Sequence, residues 1–118
     1  MNELFKDLKI IELAGVLAGP SVGLFFSELG ANVVKIENSK TNGDVIRTCK
    51  LKTEDAKNLY SAYYWSINTG KTVLMLDLTL ENDLNKLYEL TKDADIIITN
   101  YKKGDDTKLK VDYTTLTR

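Results

Sequence analysis

Apolar residues in this chain fall in short runs set apart by turns rich in glycine and asparagine. Lys9-Ile10-Ile11-Glu12-Leu13 reads as a strand. The small-residue stretch Ala14 to Pro20 then turns the chain. Val22, Leu24, Phe25, Phe26 and Leu29 carry a buried helix, with Pro20 in its first turn, where a missing N–H costs nothing. Gly30 stands where a C-terminal cap belongs. Asn32 to Glu37 is a second strand with a β-branched centre. Strand, glycine turn, helix and strand make one βαβ unit, and the right-handed crossover rule sets its strands parallel.

Residues 38 to 58 are polar and contain Gly43. A connection this long in a compact domain is either functional or partly helical. Leu59 to Ile67, with Tyr60, Tyr63, Tyr64 and Trp65, predicts a short buried helix. Asn68-Thr69-Gly70-Lys71 turns into a third strand, Thr72 to Asp77. Thr79 is the expected N-cap of the next helix, with Glu81 and Asp83 in its first turn and Leu80, Leu84, Leu87 and Thr91 on one face. Asp95 to Thr99 is a fourth strand. The tail from Lys102 to Arg118 is charged and shows no periodic pattern. Uniformly apolar Ile96 to Ile98 implies cover on both faces, hence an α/β fold of doubly wound type.

Composition narrows the function classes. The 118 residues are 43% hydrophobic and 28% charged, an ordinary globular mixture, and their 16 basic and 17 acidic side chains give a net charge of −1. That balance offers no electrostatic case for nucleic acid or an anionic membrane. With no histidine, the chain cannot build a Ser-His-Asp or Cys-His system or a His-containing zinc site. The one cysteine, Cys49, excludes an internal disulfide and reads as an incidental thiol; a reducing, cytoplasmic setting is the simplest fit. Uncharged Ala14 to Ser27 imitates a signal peptide, but Gly15, Gly19, Pro20 and Gly23 interrupt it, and it is too short to span a bilayer. Asp105-Asp106 is either a metal pair or a solvated loop, and no metal ligand is nominated. Lys102, Lys103, Lys108 and Lys110 are equally a phosphate-holding group or a solvated tail.

Ligands of doubly wound sheets bind at the carboxyl ends of the strands. Here those are Ala14 to Gly19, Glu37-Asn38, Asp77-Leu78-Thr79 and Asn100-Tyr101-Lys102. The first is glycine-rich and opens a helix, whose free N–H groups attract phosphate or a carbonyl oxygen. Glu37 falls about where a dinucleotide-binding unit carries its ribose-binding acid. The glycines, however, run Gly15-x-x-x-Gly19-x-x-x-Gly23, not GxGxxG. Close helix–strand packing, a nucleotide-like ligand and NAD all remain open on these residues.

Five ordered blocks go further. They are Leu13-Ala14-Gly15-Val16-Leu17-Ala18-Gly19-Pro20; Leu29 to Glu37; Gly43-Asp44 with Arg47; Asn68-x-Gly70-Lys71 leading into Leu76-Asp77-Leu78; and Ala94-Asp95-Ile96 leading into Asn100-Tyr101. In these the chain resembles class III CoA-transferases, the formyl-CoA transferase and carnitine CoA-transferase family, from about Leu8 to Leu116. The resemblance implies a Rossmann-like parallel sheet with flanking helices. Residues 1–118 would be an incomplete N-terminal part of a large, CoA-binding domain, with the small domain and the C-terminal part absent. It implies coenzyme A or an acyl-CoA as substrate with a carboxylic acid as acceptor, no prosthetic group, and an interlocked homodimer in the full-length protein.

By position, the resemblance places Leu17 and Ala18 at the first-turn contact with CoA. Asn38 lies where relatives often carry an arginine near the adenosine phosphates. Leu76, Asp77, Leu78 and Thr79, then Asn100, Tyr101 and Lys102, match the later strand-end contacts, and Lys108 takes a phosphate-contacting arginine position. Leu17 replaces the glutamine of formyl-CoA transferases, so formyl or oxalyl specificity is not supported. Lys103 and Lys110 replace a family proline and glycine. The family's nucleophile, an aspartate that forms a mixed anhydride and then an aspartyl-CoA thioester, lies downstream of Arg118, so no catalytic residue is nominated and the chain alone is expected to be inactive. A sheet lacking its later strands exposes an edge, and self-association is expected. An acyl-CoA racemase of the same superfamily and a stand-alone NAD-binding βαβ module are the alternatives.

Overall fold

The computed structural model describes residues 3–118. Four strands, β1 (Lys9–Leu13), β2 (Asn32–Asn38), β3 (Thr72–Leu76) and β4 (Ile96–Thr99), form one sheet in the order β3-β2-β1-β4. Every pairing is parallel. Five helices connect and cover them: α1 (Ala18–Glu28), α2 (Ala62–Asn68), α3 (Glu81–Thr91), α4 (Asp105–Lys108) and α5 (Tyr113–Leu116). Two 3-10 turns, Ser39–Thr41 and Val45–Thr48, occupy the long polar connection, so this segment is partly helical.

Period-two alternation divides each inner strand between two cores. Ile11, Leu13, Val34 and Ile36 face the larger one, with Leu76, Leu84 and Leu87 of the β3–α3 unit. Ile10 and Val33 face the α1 side with Ala31, Phe26, Ile96 and Ile98. Glu12 and Lys35 share that second face by register.

The glycine stripe of α1 serves packing at two positions. A Cβ at Gly19 would collide with the Ala14 side chain, and one at Gly23 with the Glu12 carboxylate. These absent side chains let α1 lie close over β1. Gly30 follows the helix at φ 97°, which suits a C-terminal residue without a Cβ.

Several expectations need correction. The tail forms two short helices and docks on the core. Val111 is buried in the larger core, Leu109 and Leu116 pack on it, and Asp112 caps α5 by accepting the Thr115 N–H at 3.3 Å. Tyr88 of α3 donates its hydroxyl to the Lys110 carbonyl at 2.8 Å and ties the tail down. Apolar anchors spaced among charges give no single period, which is why the pattern hid them. Thr79 does not cap α3. Its hydroxyl donates to Asp77 Oδ1 at 2.6 Å, and Leu80 holds the cap position. The aromatic helix starts at Ala62; Tyr64 is buried, but Leu59 and Trp65 are exposed. Helix α1 is not buried all round, since Val22 and Phe25 are about half exposed. Ile96, Ile97 and Ile98 are only partly buried, because β4 lies at the edge of these four strands.

Candidate functional site

Chain order reverses between β1 and β4: β2 and β3 extend the sheet on one side of β1, and β4 lies on the other. In a doubly wound sheet that switch point opens a crevice at the strand ends. A cleft of about 230 Å³ lies there, lined by Ala14, Gly15, Val16, Lys35, Glu37, Asp44, Asn100 and Tyr101 among others.

Three side chains from three other elements hold the turn between β1 and α1. Lys35 of β2 donates to the Ala14 carbonyl at 2.8 Å. Asn100, just past β4, brackets Gly15, accepting its N–H at 3.3 Å and donating to its carbonyl at 2.8 Å. Asp44 accepts the Val16 N–H, with its two oxygens at 3.2 and 3.1 Å. Helix α1 begins directly after, with Leu17 at the N-cap and no side-chain capping bond. Its first-turn N–H groups therefore have no partner within the helix.

A chain of alternating charge runs beneath α1. Glu12 and Lys35 meet at 3.0 Å, and Lys35 reaches Asp44 at 3.1 Å. Lys71 lies 2.8 Å from the other Glu12 oxygen, an ionic contact rather than an aligned hydrogen bond. Lys71 also donates to the Pro20 carbonyl and Asn68 Oδ1. Burial pushes the Lys71 ammonium below the usual lysine range, and the Glu12 carboxylate offsets only part of that.

A second cluster surrounds Glu37. Arg47 donates through Nε and Nη2 to its two oxygens at 2.8 and 2.9 Å. The Tyr64 hydroxyl donates to Oε2 and the Asp44 N–H to Oε1. Burial alone would raise the Glu37 carboxyl, but the bonds from Arg47, Tyr64 and Asp44 outweigh it and hold it below the usual glutamate range. The same burial, with Glu37 beside it, pushes the Tyr64 phenol up. Arg47 lies over the Tyr60 and Tyr64 rings, 4.8 and 4.0 Å from their centroids. Glu37 is thus engaged on both oxygens by protein donors, which argues against its binding a ribose and against the NAD alternative.

A smaller cleft, about 120 Å³, lies between the ends of β2 and β3, lined by Asn38, Lys40, Leu76, Asp77, Leu78, Thr79, Tyr101 and Leu109. Lys40 crosses its mouth, donating to Thr79 Oγ1 at 2.9 Å with its ammonium 3.5 Å from Asp77. The Thr79 hydroxyl holds the Asp77 carboxyl below the usual aspartate range, with Lys40 assisting.

The structure brings most of the sequence-nominated residues together. Leu76, Asp77, Leu78 and Thr79 share the second cleft, Asn100 lines the first, and Asn38 and Tyr101 line both. Lys108 faces an adjoining hollow with Leu78, Thr79 and Leu109. Leu17 and Ala18 are exposed at the start of α1, outside either cleft lining. Lys102 is exposed, and its carbonyl accepts the Asp105 N–H at the entry to α4. Asp105 and Asp106 form the first turn of that helix.

Sequence reading missed Glu12, Lys35 and Lys71 as site supports, and took Asp44 and Arg47 only as markers of resemblance. A signal was available: Glu12 and Lys35 each stand between apolar neighbours in a strand that reads as buried. A charge there needs a buried partner.

The model of CoA-transferase family III matches residues 5–118. The chain is 36% identical over 111 residues to a succinyl-CoA:mesaconate CoA-transferase of Haloarcula hispanica, covering 93% of this chain and 28% of that protein. It is also 36% identical over 114 residues to a succinate–glutarate CoA-transferase of Agrobacterium fabrum, covering 94% of this chain and 28% of that one. Among solved structures, a CAIB/BAIF family protein from Brucella suis superposes with a TM-score of 0.85 at 34% identity, over 99% of this chain and 31% of that one. The chain thus spans about 28% of the length of these curated relatives. No helix of the described residues is long and apolar enough to cross a membrane. With the parallel sheet, its switch-point cleft and a match over nearly every residue, this chain belongs to CoA-transferase family III.

Proposed function

We propose that this chain forms one side of a coenzyme A site, within an enzyme that transfers CoA from an acyl-CoA to a carboxylic acid. The observation that carries the reading is the gathering of Asn38, Leu76 to Thr79, Asn100 and Tyr101 at adjoining strand ends around the switch point. The polar rim of Lys40, Thr79 and Lys108 suits phosphate oxygens, and the apolar wall of Leu76, Leu78 and Leu109 suits a flat base. Tyr101, whose phenol burial pushes above the usual tyrosine range, completes that wall.

The buried carboxylates here serve structure. Glu12 meets Lys35 and Lys71, Glu37 meets Arg47, and Asp44 meets Lys35. The reaction needs instead a free carboxylate that attacks the thioester carbonyl and expels CoA thiolate, giving a mixed anhydride. The thiolate then attacks the enzyme's own acyl carbon, releasing the first acid and leaving an aspartyl-CoA thioester. We place that aspartate outside residues 1–118, with the small domain and an interlocked homodimer, and set the reaction in the cytoplasm.

Calorimetric titration with CoA and, separately, with NADH tests this. Trp65 lies outside both clefts, so heat is a better reporter than its fluorescence. Binding of CoA without NADH, and no transfer between thioester and acid by the chain alone, is expected. Binding of NADH but not CoA would overturn the reading, and turnover by these 118 residues would overturn the placement of the nucleophile.

A further inference from the structure

Val16 adopts a backbone conformation that its own side chain does not favour. Its φ is 68°, in the left-handed region that β-branched residues rarely enter. Its side chain is 46% exposed, so packing does not hold it there. Asp44 supplies the restraint, with both carboxylate oxygens on the Val16 N–H.

Asp44 is itself fixed from three sides. The Ile46 N–H donates to Oδ1 at 3.2 Å, the Lys35 ammonium lies 3.1 Å from Oδ2, and the Asp44 N–H donates to Glu37 Oε1 at 2.6 Å. Lys35 is fully buried, and its other contacts are Glu12 and the Ala14 carbonyl of the same turn. Ala14 is thus held through its carbonyl and Val16 through its N–H by a single buried Lys35–Asp44 pair. Val16 is the residue before the N-cap of α1, so its conformation sets where the Leu17 and Ala18 N–H groups stand.

We propose that Asp44 is a positioning residue of the CoA site: acting through the Val16 N–H, it holds the first turn left-handed and presents the start of α1 to the ligand. The proposal rests on the CoA reading given above. The competing role for Asp44 is purely local, as the cap of the Val45–Thr48 turn. That role would make Asp44 indifferent to which residue occupies position 16.

The test uses Asp44→Asn, which keeps the shape and loses the charge, alone and combined with Val16→Gly. Glycine enters the left-handed region without strain, so it needs less restraint from position 44. Asp44→Asn is expected to weaken CoA binding by roughly tenfold or more, the scale of a lost charge-assisted hydrogen bond. Adding Val16→Gly should recover most of that loss. Amide exchange gives a second readout: Asp44→Asn should speed exchange at Val16 beyond any change shared by Ile11 and Val34 in the sheet.

Unchanged CoA affinity in Asp44→Asn would overturn the proposal. So would a loss that Val16→Gly leaves in place, since Asp44 would then act elsewhere. Failure of the unsubstituted chain to bind CoA would sink the CoA reading instead. In that case the Val16 exchange rate decides the restraint by itself, with unaltered exchange counting against it.

Discussion

Glu12 of β1 and Lys35 of β2 are register partners, and their side chains meet at 3.0 Å with no exposure to solvent. Neither charge is tolerable there alone. Lys71 on the far oxygen of Glu12 and Asp44 on the far side of Lys35 extend the pair to four groups of balanced charge. The network links the sheet, the segment before β3 and the long polar connection to the turn that opens α1. It binds the candidate site to the core.

Removing one member leaves a buried charge unmatched, which costs about 3–5 kcal/mol. Lys35→Met should therefore lower the urea midpoint strongly, with Asp44 left without a cation and Glu12 left with Lys71 alone. Lys86→Met, an exposed residue paired with Asp83 at 3.5 Å, should change stability by less than about 1 kcal/mol. Equal midpoints for the two variants would contradict the role assigned to the network.

Gly23→Ala should destabilise by about 1–3 kcal/mol through overpacking. Its Cβ would strike the Glu12 carboxylate, which Lys35 and Lys71 hold in place. At Gly15 a Cβ would find Asp44 Oδ2 at 3.6 Å, ordinary contact. Gly15→Ala should be the milder change in a thermal melt, and the reverse order would refute the close approach of α1 to β1.

Acid should unfold the chain partly through Glu37. Its folded-state pKa lies below the ordinary 4.5, so the unfolded chain binds more protons between the two values and stability falls as pH falls. Above about pH 4.5 its contribution is fully present. Arg47→Met removes two of the bonds that offset burial. The midpoint of acid unfolding, followed by circular dichroism, should then move to higher pH. A midpoint that stays put would show that Arg47 does not hold the carboxylate.

Lys108→Ala should weaken CoA binding by roughly twofold to fivefold, the scale of an exposed ion pair. The deficit should shrink as salt rises, because exposed charges are screened. Calorimetry at two ionic strengths checks both. An affinity equal to that of the unsubstituted chain at low salt would remove Lys108 from the site.

The amino-acid order by itself determined the alternation of strands and helices, because apolar periods and glycine punctuation are local properties. Ile10, Ile11 and Val33 to Ile36 announce inner strands, and Pro20 with Gly30 frames α1. It also pointed to the strand ends where Asn38, Leu76 to Thr79 and Tyr101 now line clefts, since topology fixes which ends of parallel strands open to a ligand. Tertiary structure alone decided the strand order, the docking of the tail through Val111, and the turn-holding roles of Lys35, Asp44 and Asn100. Glu12, Lys35, Asp44 and Lys71 come from separate segments, and no local pattern pairs them. Charges buried in one small volume must find opposite partners, and which ones meet depends on how the sheet and its connections fold together.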